Sequence, residues 1–124
     1  MRVLIRSLAM TGLTISSSEL ANGWQCIAVE GEVDLATVEE LESAIDRVFS
    51  DKSDSLVIDL RESSFMDSTG LKALVMANRR FDEDGRSFAV AVSSGPVARL
   101  IDLSGVESSM RIVESTDELE AESA

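Results

Sequence analysis

Histidine is absent from the 124 residues of this chain. Its absence removes the side chain most often used as a general base and as a metal ligand. There is one cysteine, Cys26, so no disulfide can close within the chain. A zinc site would have to be assembled from that one thiol and carboxylates, which is not the usual donor set. Tyrosine is also missing, and the aromatics amount to one Trp and four Phe. The core is therefore expected to be built from Val, Ile, Leu, Ala and Met. No run approaches the length of a membrane-spanning apolar helix, and no Gly-rich Walker-type loop is present. Basic residues are scarce: 11 against 23 acidic ones, a net charge of −12. Phosphate backbones and anionic lipid repel such a chain, so neither nucleic-acid binding nor direct membrane insertion is expected. The acidic surface serves solubility, or part of it meets a basic face on a protein partner.

What remains is an ordinary globular composition, 44% hydrophobic and 27% charged, of a size suited to one domain with a real core. The start, Met1 to Met10, faintly resembles a signal peptide. Arg6 interrupts it and the apolar stretch is short, so a cytoplasmic protein is expected.

Periodicity outlines the elements. Val3 and Ile5 alternate with Arg2, Leu4 and Arg6, as a weak strand or extended arm. Leu13-Thr14-Ile15-Ser16 is a second strand candidate, and Ala21-Asn22-Gly23 marks a hairpin turn. From Cys26 to Val33 the residues Ile27, Val29, Gly31 and Val33 share one face, with Glu30 and Glu32 on the other. Thr37-Val38-Glu39-Glu40 fits a capping box opening a helix that buries Val38, Leu41, Ile45, Val48 and Phe49. Leu56 to Leu60 reads as a central strand, and Arg61 to Phe65 as a short connection. A second helix follows Asp67, with Leu71, Leu74, Val75 and Phe81 inward. Phe88 to Val92 is another buried strand. Pro96 begins a third helix with Val97, Leu100, Ile101 and Leu103 inside, and Gly105 ends it. Met110 to Val113 is a last short strand, and Glu114 to Ala124 an acidic helix or tail. A hairpin followed by helix-strand units implies an α/β fold with mostly parallel strands. Functional groups in such sheets gather beyond the carboxyl ends of strands. Two loops are placed there, Glu32 to Thr37 and the Asp67 junction.

That junction, Asp67-Ser68-Thr69-Gly70, puts an acceptor hydroxyl at a strand-to-helix turn. Either Ser68 or Asp67 can cap the helix, and a cap is the commoner role for such residues. The functional alternative is phosphorylation. Unpaired N–H groups and the helix dipole would then tolerate a charge of about −1.5 to −2, while a partner docked there would meet a changed surface. Gly70 either opens the backbone to another protein or tightens the turn. Asp59 is a rival acceptor of another class, as in a phosphorelay receiver. The segment after Val92, Ser93-Ser94-Gly95, lacks the lysine that a receiver wants, and Asp59 is more simply a polar residue where a strand meets its loop.

Ser64-Phe65-Met66-Asp67-Ser68-Thr69-Gly70-Leu71 resembles the signature of the STAS family, the anti-sigma factor antagonists. Gly31-Glu32-Val33-Asp34-Leu35-Ala36-Thr37 resembles that family's second motif, in the right order and spacing, and Gly105 also fits. The resemblance implies an α/β fold: a single STAS-like domain with a mixed, mostly parallel sheet of four to five strands, an N-terminal hairpin and about four helices. It would span residues 12–115, after an extension or extra strand in 1–11 and before an acidic helix or tail in 116–124. It implies no enzyme, no cofactor and no metal. The unphosphorylated form would bind an anti-sigma factor that is also a serine kinase, freeing a sigma factor. Phosphorylation at Ser68 would end that binding, and a metal-dependent serine phosphatase would restore it. Asp34, Asp67, Ser68, Thr69, Gly70 and Leu71 would lie on the docking face. The alternative is a STAS regulatory or structural subunit of a signalling assembly or a membrane transport system. Two departures stand out. About ten extra residues precede the first matched strand, and Lys72 occupies a position where many members carry glycine or another small residue.

Overall fold

Alternation in the first strands and helical spacing after them produce one sheet with helices against it. The computed structural model describes the backbone of residues 5–8 and residues 12–122. The strands are β1 (Ile5–Leu8), β2 (Leu13–Glu19), β3 (Gln25–Val33), β4 (Ser55–Met66), β5 (Ser87–Ala91) and β6 (Arg111–Val113). The helices are α1 (Val38–Ser50), α2 (Ser68–Glu83), α3 (Pro96–Ser104) and the short α4 (Asp117–Glu120). The strands lie side by side in chain order. β1, β2 and β3 are antiparallel neighbours, whereas β3 to β6 are parallel.

The class, the mixed sheet and the hairpin agree with the sequence reading. The sheet has six strands because Ile5–Leu8 pairs with β2. Val3, in the expected N-terminal strand, lies outside the described residues, as do Ser123 and Ala124 in the expected tail.

One apolar cluster joins the buried faces of α1, α2 and α3 to alternate residues of β2, β3, β4 and β5. The three long helices therefore cover one face of the sheet. A smaller cluster on the other face gathers Trp24, Cys26, Val57, Ala89, Ala91 and Val113 around Leu119 of α4. A polar clasp holds that tail. Asp59 receives Arg61 Nη2 at 2.8 Å and Nε at 2.9 Å, and Arg61 reaches Ser115 Oγ and Thr116 Oγ1. Asp59 is thus committed to an ion pair inside β4, not placed where that strand ends.

Three sequence expectations need correction. Arg61 to Phe65 is not a connection, since β4 continues to Met66. Its partner β3 continues with it, through register shifts after Ala28 and Gly31, to the pairs Glu32–Phe65 and Val33–Met66. The polar residues of this stretch sit on a strand with exposed positions, so polarity there does not signal a loop. Thr37 makes no capping bond to α1. Its hydroxyl instead donates to Glu32 O at 2.8 Å and accepts from Asp34 N–H at 3.0 Å, so it is spent on the preceding loop. Leu103 is 79% exposed. Val97 and Ile101, four residues apart, take the inner face of α3, and Leu103, two residues further on, points away from it.

Phe81 is fully buried, 5.3 Å from the ring of Phe49 and 5.9 Å from that of Phe88. Phe81→Ala should cost about 3–5 kcal/mol in urea unfolding. Cys26 is buried, and burial first, then the Asp59 charge, pushes its thiol up to about 12. An unfolded thiol ionises near about 8.5, so the folded state gives up stability as pH rises above that value. Between about pH 8 and 10 the loss from this group should be about 2 kcal/mol, and Cys26→Ala should remove it from the pH profile of urea midpoints.

Candidate functional site

β3 and β4 run out together at one end of the sheet, and both motif loops leave from there. The seam continues past the last strand pair: Asp67 N–H donates to Val33 O at 3.1 Å. The two loops are therefore neighbours, as their positions after parallel strands implied.

Asp67 is the N-cap of α2. Its extended backbone (φ −102°, ψ −173°) turns its carboxylate back over the helix start. Oδ1 accepts from Thr69 N–H at 2.9 Å and from Gly70 N–H at 3.2 Å, while Leu71 N–H bonds Asp67 O at 3.1 Å. The choice left open by the sequence is thereby resolved: Asp67 caps and Ser68 does not. Ser68 is the first residue of α2, it is exposed, and its hydroxyl makes no hydrogen bond among the described residues. Thr69 is half-buried. One expectation changes. Two of the first-turn N–H groups meant to receive a phosphate are already occupied by Asp67.

Gly70 is buried, and its reason is close approach rather than unusual backbone. A Cβ there would lie 2.8 Å from both Met66 Cγ and Val33 Cγ1. The glycine faces inward onto the seam, not outward toward a partner. Leu71 packs half-buried against the main core.

Asp34 organises the other loop. Its Oδ1 accepts from Ala36 N–H at 3.0 Å and Thr37 N–H at 3.2 Å, and Val38 N–H bonds Asp34 O at 2.8 Å. The carboxylate is half-buried and works within its own loop. Held this way, the loop presents Leu35, 77% exposed, and the end of β4 presents Phe65, 44% exposed. These two apolar side chains were not singled out in the sequence. The available signal was an apolar residue inside each polar motif. Carboxylates of Glu32, Asp34 and Asp67 surround them in sequence, and Glu32 pairs with Phe65 in register. Among the described residues no group of three His, Cys, Asp or Glu side chains is placed to hold a metal. No described helix is long and apolar enough to cross a membrane. An exposed, unbonded hydroxyl beside an apolar and acidic surface can accept a group and report it to a docked protein.

Comparison with known proteins gives the family and the fold. The STAS domain family model matches residues 18–119. The chain is 34% identical over 91 residues to the anti-sigma-F factor antagonist RsfB of Mycobacterium tuberculosis, covering 73% of this chain and 74% of that protein. It is 29% identical to the anti-sigma-B factor antagonist of Staphylococcus aureus over 73% of this chain and 84% of that one. The crystal structure of an anti-sigma factor antagonist from Mycobacterium paratuberculosis superposes with a TM-score of 0.83 at 28% identity, covering 93% of this chain and 97% of that chain.

Gly70→Ala should destabilise by about 1–3 kcal/mol, because Val33 and Met66 must shift. Asp67→Ala should cost about 1 kcal/mol and raise amide exchange at Thr69 and Gly70, read by urea unfolding and hydrogen exchange.

Proposed function

The chain belongs to the STAS domain family, and from that premise we propose that it is an anti-sigma factor antagonist switched by phosphorylation of Ser68. The observation that carries the reading is Ser68 itself: exposed, first in α2, with a hydroxyl that makes no hydrogen bond among the described residues. Thr69, one position on, is half-buried and so a poorer acceptor.

In the unphosphorylated state the docking face comprises the loop at Asp34, the end of β4 and the first turn of α2. Leu35 and Phe65 supply apolar contact, which favours binding in proportion to the apolar area the partner buries. The partner is an anti-sigma factor that also acts as an ATP-dependent serine kinase. Its docking releases the sigma factor. The kinase then moves the γ-phosphoryl group of ATP onto Ser68 Oγ, with the hydroxyl proton passing to the kinase and ADP leaving. The product carries about two negative charges in the middle of a face already rich in carboxylates. Apolar contact around it is lost and the complex comes apart. A serine phosphatase of the metal-dependent type resets the switch. All of this is placed in the cytoplasm, and the chain itself catalyses no step.

Mass spectrometry after incubation with the cognate kinase and ATP should find phosphate on Ser68. Modification elsewhere with Ser68 untouched would refute the assignment. Ser68→Ala should bind the partner constitutively, and Ser68→Asp should bind about a hundredfold more weakly, a difference of about 3 kcal/mol. Equal affinities in isothermal titration would rule out a charge switch.

A further inference from the structure

We propose that Lys72 is the counter-ion of the phosphate on Ser68, holding it along the flank of α2. The inference rests on Ser68 being the phosphoacceptor. Its starting point is a shortage of donors. The Thr69 and Gly70 N–H groups, which would otherwise receive a phosphate at this helix start, are bonded to Asp67 Oδ1 at 2.9 and 3.2 Å. The Leu71 N–H is bonded to Asp67 O at 3.1 Å. Only the N–H of Ser68 itself is left in that first turn.

The neighbouring side chains make the shortage worse. Asp67 sits next to Ser68 in the chain, and Glu32 and Asp34 belong to the adjoining strand end and loop. A phosphate is like-charged with all three. Lys72 lies four residues after Ser68 on the same helix, hence on the same face and one turn along. It is exposed and forms no ion pair among the described residues, although acidic residues outnumber basic ones two to one in this chain. The other cations of α2 are Arg79 and Arg80, at its far end, and Arg80 is engaged with Asp46. Lys72 is therefore the cation of this helix within reach of the phosphate, and the acid before the acceptor plus the base after it span one turn. Lys72 is a positioning residue. It draws the phosphate sideways along α2, which leaves the Asp67 cap in place and the fold undisturbed on phosphorylation.

The test uses the full chain with phosphoserine inserted at position 68 during translation, so it does not depend on any kinase. Phosphorus NMR follows the second ionisation of the phosphate, near about pH 6, in the wild type, Lys72→Gln and Lys72→Arg at low salt. Lys72→Gln should raise that pKa by about 0.3 unit or more, the size of one such helical ion pair. Lys72→Arg should restore the wild-type value, and added salt should shrink the difference. Urea midpoints of the unphosphorylated proteins should coincide, since Lys72 is exposed. An unchanged pKa in Lys72→Gln would overturn the pairing, and so would a failure of arginine to restore it. A kinase that ignores Ser68 would refute the switch without altering this result, and an unchanged pKa would refute the pairing without touching the switch.

Discussion

The seam between β3 and β4 carries the rest of the site. The two strands stay paired through two register shifts to Val33 and Met66, and Asp67 N–H extends the ladder by one bond to Val33 O. Gly70 allows this closure, because any side chain there would collide with Val33 and Met66. Once the seam is closed, the start of α2 and the Asp34 loop are held side by side by the Asp67–Val33 bond and the packing of Gly70 on Val33. Ser68, Leu35 and Phe65 are then exposed at the same end of the sheet. Such holding bonds matter for any docking surface, since a loose loop spends affinity on ordering when a partner docks.

Division of labour at the helix start follows from the same closure. Asp67 takes two of the N–H groups that a helix start leaves unpaired, and the Ser68 hydroxyl has no capping duty. A serine that capped the helix would lose that role when modified, and the fold would feel the change. Under the proposed function, stability and signalling rest on adjacent residues rather than on one. A phosphate on Ser68 would find less help from the helix end than an uncapped terminus gives, and the proposed counter-ion is Lys72.

Much of the architecture was legible in the chain. The Asn22-Gly23 turn, the 3.6-residue spacing in α1 and α2, and the Pro96 and Gly105 borders of α3 are local signals, and local physics decides them. The misreadings have different causes, one long-range and two local. Polar Arg61 to Ser64 belong to a strand because β3 is there to pair with them. Thr37 resembles a cap, but its hydroxyl donates instead to the Glu32 carbonyl five residues back. Leu103 was read as core because apolar residues cluster around it, although the helix turns it to solvent. At the site, the acceptor motif was visible as letters. The exposure of Leu35 and Phe65, and the choice of Asp67 as cap, depend on how two distant loops come together.

The central claim is that this end of the sheet delivers Ser68 to a kinase active site. The most direct measurement is a structure of the chain bound to its anti-sigma kinase with a non-hydrolysable ATP analogue. The account predicts Ser68 Oγ about 3–3.5 Å from the γ-phosphorus, in line for transfer, with Leu35 and Phe65 buried in the interface. An interface on another face, with Ser68 left in solvent, would contradict it.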